Sequence, residues 1–355
     1  MNDNATVAHV GCQAVSDGTA RLLGAAGHEV VRRSFLGAHR HLQNTDAAAG
    51  VTAALSDPEV AASFAECDAV VVNGEGTIHH GAGTELLNIL GAARAVGLPA
   101  LLVNSVIQEV DGFDSVFRGL TDLTVRDGYS LAALRDRGIS ARLVADTFLS
   151  ARFDPEPLID LSGNVVATCW HHARDVDTGR QILQILCGLA PGTSWFLPFL
   201  CRDTAECWKQ IPSTIAPASA VLTGRHHAVY CALLTGTPFV ALGSNTWKME
   251  GLVALAPELA DYICPADPAA ALASAISRRD EFAYVSERLK SAPPPDPFRS
   301  LGIGSSEGGA VGAQREIGRL ARDLAREISC RPAPDLVYRL RRRSCEVIHA
   351  GQAAE

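Results

Sequence analysis

Residues 220–242 read as a complete strand, helix and strand, and this unit limits the folds open to the whole chain. The apolar run Ala220 to Leu222 empties into Thr223-Gly224-Arg225-His226-His227, and a helix is expected from about Arg225 to Thr235. Gly236 suits the left-handed residue that ends a helix, and Pro238 forbids its continuation before a second apolar run, Phe239 to Leu242. Parallel strands joined this way need helices over both faces of their sheet, so the neighbouring sequence should keep alternating. It does. Strand-like runs fall at Thr6 to Val10, Glu29 to Val31, Ala69 to Val72, Pro99 to Val103, Leu123 to Val125 and Leu143 to Ala145. After a break at Phe153-Asp154-Pro155-Glu156-Pro157, a second series runs through Val165 to Cys169, Trp195 to Pro198, Ala220 to Leu222, Phe239 to Leu242 and Tyr262 to Cys264. The pattern predicts an α/β protein of two Rossmann-like parallel-sheet domains, residues 1–152 and 153–290, facing across a cleft. Residues 291–355 are expected to form a Pro/Gly/Ser-rich linker, a helix from about Ala313 to Ile328 and a basic tail. With 355 residues and 47% hydrophobic content the chain can fill two cores.

In open parallel sheets ligands bind beyond the carboxyl ends of the strands, and the polar clusters of this sequence gather there. Asp68 to Val72 leads into Asn73-Gly74-Glu75-Gly76-Thr77-Ile78-His79-His80-Gly81. Gly74 and Gly76 let backbone approach a ligand, while Asn73, Glu75, Thr77 and His79 offer groups that grip hydroxyls or move protons. The dinucleotide fingerprint Gly-x-Gly-x-x-Gly is absent, because His79 stands where its third glycine belongs, so a nicotinamide cofactor is not indicated. Leu123 to Val125 leads to Arg126-Asp127, a helix through Leu134 and a stop at Gly138, and the run Ala141 to Ala145 ends on Asp146. In the second half Trp170-His171-His172 and Arg225-His226-His227 occupy the same kind of position. Arg225 and His227 open a helix whose free N–H groups and partial positive charge already favour an anion, so phosphate or carboxylate is the expected guest. The competing readings are a surface role for Arg225, packing for the histidines, and an N-cap for Asp127.

Taken in order, Asn73-Gly74-Glu75-Gly76-Thr77, Arg126-Asp127 with Ser130, Leu134 and Gly138, Asp146-Thr147, and Arg225-His226-His227-Ala228 with Gly236, Pro238 and Lys248 resemble the polysaccharide pyruvyl transferase family, over roughly Val70 to Gly251. Two stretches depart from its pattern. Gly11-Cys12-Gln13-Ala14-Val15-Ser16-Asp17 lacks the common Gly-Asp-Glu, and Ser244-Asn245-Thr246-Trp247 precedes Lys248 where many members carry a tyrosine. The resemblance implies a two-domain fold like that of GT-B glycosyltransferases, and transfer of pyruvate from phosphoenolpyruvate to two hydroxyls of a sugar, oligosaccharide or lipid-linked saccharide, giving a ketal and phosphate. The donor side is expected in the second domain and the acceptor side in the first. Such a donor carries about three negative charges and needs cations at both ends. Arg225 and Arg126 are expected to bind it, with Asn73, Gly74, Gly76, Thr77, His79, His171, His172 and Lys248 as further binding residues. His227 is the expected proton donor or leaving-group acid, since an imidazole gives up a proton near neutral pH, and Glu75 or Asp127 accepts the hydroxyl proton. A nucleotide-sugar-dependent glycosyltransferase on the same architecture and a noncatalytic sugar-binding homologue are the alternatives.

Composition narrows the partners. Thirty-one basic against 39 acidic residues leave a net charge of -8, which argues against a nucleic-acid partner. The ten cysteines form no Cys-x-x-Cys pair and are expected to be reduced. The start Met1-Asn2-Asp3-Asn4 has no signal-peptide character, and no apolar stretch is long enough to span a bilayer, so a cytoplasmic protein is expected. The paired histidines lack zinc-like spacing, so neither a metal nor another cofactor is expected. The run Tyr338-Arg339-Leu340-Arg341-Arg342-Arg343 is either a solvated terminus or a weak contact for an anionic membrane surface.

Overall fold

The computed structural model describes residues 1–168, 176–199, 206–292 and 295–301. His171, His172, the helix expected at 313–328 and the basic run 338–343 lie outside the described residues. The first half runs α1 (Val10–Ala25), α2 (Ala47–Ser56), α3 (Pro58–Glu66), β1 (Val70–Glu75), α4 (Thr84–Ala95), β2 (Ala100–Ser105), α5 (Asp114–Arg118), β3 (Asp122–Val125), α6 (Gly128–Asp136) and β4 (Arg142–Leu143). The second runs β5 (Val165–Ala167), α7 (Val176–Gly188), β6 (Ser194–Phe196), α8 (Ile211–Ile215), β7 (Ala220–Thr223), α9 (His226–Thr235), β8 (Phe239–Ala241), α10 (Pro268–Ser277) and α11 (Arg279–Ser291).

Among the described residues there are two four-stranded sheets, ordered β1-β2-β3-β4 and β6-β5-β7-β8, with every strand pairing parallel. The expected α/β architecture of two Rossmann-like sheets is therefore the fold. The unit at 220–242 has the expected form: α9 ends on Gly236 at φ 68°, and β7 pairs with β8 from Val221 opposite Phe239 to Thr223 opposite Ala241. Strands β2, β3, β5, β7 and β8 are buried apolar runs, as strands covered on both faces require, while β4 and β6 at the sheet edges leave Leu143, Trp195 and Phe196 exposed.

Three expected strands are not strands. Thr6 to Val10 folds instead into the entry of α1, where the His9 imidazole accepts hydrogen bonds from the Gly11 and Cys12 N–H groups and serves as the N-cap. Glu29 to Val31 is irregular and leaves Val30 and Val31 exposed, with no sheet neighbour to cover them. Near Tyr262 to Cys264 the contact with β8 shrinks to a single bridge, Ala241 with Ile263. Cys12, Cys187, Cys207 and Cys231 are free thiols.

The cores do not follow chain order. One buried cluster fills the first sheet and its helices, around Val72, Leu87, Leu102 and Phe117. A second surrounds the second sheet, around Val166, Val221, Tyr230 and Phe239, yet it also takes in Val10, Ala14 and Val15 of α1 and Phe148 beyond β4, and a small third joins Leu101 and Val103 of β2 to Phe298. Helix α1 thus belongs to the first half by sequence and to the second core by packing. No helix among the described residues is long and apolar enough to cross a membrane.

Candidate active site

Where β3 ends, Arg126 turns inward and places its Nη1 2.5 Å from Asp146 Oδ2; both side chains are almost wholly buried. Asp146 follows β4, and its other oxygen accepts the Phe148 N–H at 2.9 Å, which fixes the turn. His227, in the first turn of α9, reaches the same carboxylate from the second sheet, with Nε2 3.5 Å from Asp146 Oδ2 and 3.4 Å from Arg126 Nη1. Its ring stacks on Phe148 at 5.5 Å and 13°. Its other side presses on α1 at Gly11, where an added Cβ would stand 1.9 Å from the ring nitrogen Nδ1, so only glycine fits there. One ion pair of the first half and one imidazole of the second are thereby locked together.

Electrostatics follow from burial. Burial alone would raise the Asp146 carboxyl, but Arg126, then His227 and His226, outweigh it and hold it below the usual carboxylate range. Burial likewise opposes the charge on Arg126, and Asp146 and Glu75 more than restore it, so the guanidinium stays charged. His226, fully buried beside these cations, is pushed well below the ordinary histidine value by desolvation and then by Arg126 and His227; its two ring nitrogens have no hydrogen-bond partner. Asp146, His226 and His227 place one ligand atom each within 4.8 Å of one another. The Arg126 guanidinium already stands on the shared carboxylate oxygen, so this trio reads as part of an ion-pair network, not as a cation's cage.

The β1 loop meets this cluster from the other side. A side chain at Gly76 would lie 3.5 Å from Arg126 Nη2 and 3.8 Å from Lys248 Nζ, which puts the loop against both cations. Lys248 gives a hydrogen bond to Asn245 Oδ1 at 2.6 Å; burial, then repulsion from Arg126 and Arg225, lower its ammonium to about 7. Arg225 is the N-cap residue of α9, half-buried, with its backbone N–H on Thr223 Oγ1 at 2.8 Å; its charge reaches both Cys12 and Lys248. Gly74 is needed for close approach, since a Cβ there would fall 2.2 Å from Ser105 Oγ.

Glu75 is buried, 6% exposed, and holds the left-handed φ of 44° that side-chain-bearing residues seldom adopt, a strain of about 1–3 kcal/mol that the surroundings must enforce. Its Oε2 accepts hydrogen bonds from Asn4 Nδ2 and, at 3.7 Å, from the Cys12 thiol, while Oε1 has no partner.

Other expected residues build the framework. The Asn73 side chain accepts from Asn104 Nδ2 at 3.2 Å and its carbonyl accepts from Asn2 Nδ2 at 2.6 Å; Thr77 Oγ1 accepts from the same amide at 3.3 Å. His79 lies 2.8 Å from His80 and 3.4 Å from Asn245, at the rim of the cluster. Asp127 is the N-cap of α6: one carboxylate oxygen accepts from the Ser130 N–H at 2.8 Å and the other from the Ser130 hydroxyl at 2.6 Å. No part of it is exposed, so the capping reading describes its geometry. Sequence reading marks Asp146 as a strand-terminal motif position with a geometric role and gives no role to Cys12 or to Asn4, for which no motif speaks.

No protein-family model and no curated protein sequence matches the chain. Among solved structures it is similar to the spinosyn rhamnosyltransferase SpnG, at 11% identity and a TM-score of 0.46, covering 83% of this chain and 97% of that one. It is also similar to Phytolacca americana UGT2 complexed with UDP-2-fluoro-glucose and pterostilbene, at 13% identity and a TM-score of 0.39 over 74% of this chain and 78% of that one. A third is the glycosyltransferase of kitacinnamycin, at 12% identity and a TM-score of 0.38 over 96% of this chain and 95% of that one. Likeness at this level concerns the layering of the chain and assigns no role to a residue.

Proposed function

We propose that this chain is a transferase that moves a group from a phosphorylated donor to a sugar hydroxyl. One observation carries the reading: Arg126, Lys248, Arg225 and His227, contributed by strand ends of both sheets, surround one point where Asp146 is the first carboxylate and the half-partnered Glu75 is the second. Arg126 and Arg225 balance the two carboxylates Asp146 and Glu75, and Lys248, whose ammonium is lowered to about 7, adds positive charge that an incoming phosphate stabilises. Glu75 on the β1 loop faces the acceptor side and receives the hydroxyl proton, and His227 protonates the leaving group or the donor. Asp127 positions α6 and takes no part in proton transfer.

Two donors fit. Phosphoenolpyruvate is favoured by the order of the Asn73 to Thr77, Arg126-Asp127 and Arg225 to Lys248 motifs and by the tight convergence of the cations. A nucleotide sugar is favoured by the position of the cradle at the start of α9 in the second of two parallel sheets, where a diphosphate meets free N–H groups. Thermal unfolding with phosphoenolpyruvate, UDP-glucose or dTDP-rhamnose separates them. A true donor at 100 times its dissociation constant adds about 2.7 kcal/mol of stability. Protection by phosphoenolpyruvate alone selects pyruvyl transfer, and protection by a nucleotide sugar alone selects glycosyl transfer. Protection by none of the three removes the transferase reading.

A further inference from the structure

Among the described residues, the buried carboxylates Asp127 and Asp146 are used up by the fold. Asp127 spends one oxygen on the Ser130 N–H and the other on the Ser130 hydroxyl; Asp146 gives one to the Phe148 N–H and the other to Arg126. Glu75 differs. Both of its hydrogen bonds, from Asn4 Nδ2 and from the Cys12 thiol, fall on Oε2, and Oε1 is buried with no partner. An unmet buried acceptor is costly, and beside the cations of the site an incoming hydroxyl would satisfy it.

The two donors are themselves held. The Asn4 N–H gives a hydrogen bond to Ser16 Oγ at 3.1 Å, and the Ser16 hydroxyl gives one to Asp3 Oδ1 at 2.6 Å, so Asn4 is tied to α1. Cys12 stands in the first turn of α1, beside the Gly11 on which His227 rests. Burial, then the charge of Glu75, pushes the Cys12 thiol well above its ordinary value, so it remains an S–H donor. Helix α1 therefore holds both the proposed base and the proposed acid.

We propose that Asn4 and Cys12 are positioning residues that clamp Glu75 Oε2 and leave Oε1 to receive the acceptor's proton, an inference that rests on the transferase reading above. With a nucleotide sugar, the hydroxyl oxygen bonds to the anomeric carbon as its proton passes to Oε1 and the phosphate oxygen leaves with the electron pair of the broken bond. With phosphoenolpyruvate, the proton passes to Oε1 as the hydroxyl adds to the enol carbon and His227 gives a proton to the methylene carbon, and phosphate leaves with its electron pair when the second hydroxyl bonds to the same carbon. Cys12 and Asn4 exchange no proton. They stop the carboxylate from rotating toward Arg126 and Lys248, which would neutralise it.

The test has one arm without turnover and one with it. In the first, iodoacetamide labels the native protein and mass spectrometry follows Cys12. Glu75→Gln removes the charge and acceptor that, after burial, hold the thiol protonated and should speed labelling of Cys12 about tenfold at pH 8. An unchanged rate overturns the clamp. In the second arm, transfer is followed with phosphoenolpyruvate or UDP-glucose and a panel of disaccharide acceptors. Cys12→Ala should lower kcat about tenfold with the donor's KM unchanged, Asn4→Ala about ten- to a hundredfold, and Cys12→Ser, which restores a donor, should recover most of the rate. Equal losses in Cys12→Ser and Cys12→Ala, or full rates in Cys12→Ala and Asn4→Ala, overturn the proposal. Failure of the wild type to use any donor removes the transferase reading, while the labelling arm separately decides whether the clamp exists.

Discussion

At His227 a single imidazole is wedged between Phe148, Gly11, Arg126 and Asp146, with little room to turn. His227→Gln keeps a hydrogen-bonding group but cannot deliver a proton, so the maximal rate should fall about 10²- to 10⁴-fold while donor affinity, read by calorimetry, changes far less. Arg225→Lys should show the opposite signature. Lysine keeps the charge and loses the fork, and donor binding should weaken by about 1.5–3 kcal/mol with the rate at saturation nearly retained. Lys248 adds a pH signature. Its ammonium, lowered to about 7, is partly deprotonated in the free protein at pH 7.5, and an anion beside it favours the charged form. Donor binding should therefore take up protons, and affinity should drop as pH rises through 7. Calorimetry in buffers of different ionisation enthalpy measures the uptake, and proton release instead would take Lys248 out of the donor site. The lysine's stability term has its own sign: the unfolded chain binds the extra proton between about 7 and its ordinary value of about 10.4, so stability rises with pH across that window.

Elements decide how these residues are presented. Helix α6 starts where it does because Asp127 caps it, and the Ser130 hydroxyl bound to that cap also accepts hydrogen bonds from the Ile107 N–H at 2.9 Å and the Trp247 indole at 3.2 Å. Asp127→Ala should cost about 1–2 kcal/mol in denaturant unfolding, at the upper end of N-cap losses. Its activity should fall no further than that loss of stability explains; a rate loss at full stability would return Asp127 to the chemistry. The reading of elements from sequence worked where apolar runs were buried on both faces, as in β2, β3 and β7. It failed at Thr6 to Val10, a five-residue run compatible with strand or helix entry, because histidine is not a residue type that announces an N-cap and the imidazole of His9 took that place. It failed at Glu29 to Val31 because strand pattern without a paired neighbour makes no strand.

For the whole molecule, the crossing of α1 into the second core matters most. Val10, Ala14 and Val15 pack with the second sheet, and Trp247, from the loop after β8, gives its backbone N–H to Gln108 Oε1 at 3.1 Å in the first half. Neither half can open fully without stripping the other. Thermal unfolding should thus be one cooperative transition, coincident by far-UV circular dichroism and tryptophan fluorescence, and two separated transitions would show that the halves are independent. The same architecture sets the site: the strand ends of both sheets converge, so residues about a hundred positions apart, such as Arg126 and His227, come within hydrogen-bonding distance.

The sequence by itself determined the two parallel sheets, the βαβ unit at 220–242 and the gathering of polar residues at strand ends, because these follow from local patterns of burial, turns and helix stops that a short window contains. It also marked Arg126, Arg225, His227 and Glu75 by residue type and position. Tertiary structure alone decided that Asp146 joins Arg126 to His227, that Lys248 is buried enough to lose part of its proton near neutrality, and that Asn4 and Cys12 share one oxygen of Glu75. These depend on distances between segments far apart in the chain and on how much water remains between them. No local pattern encodes either quantity.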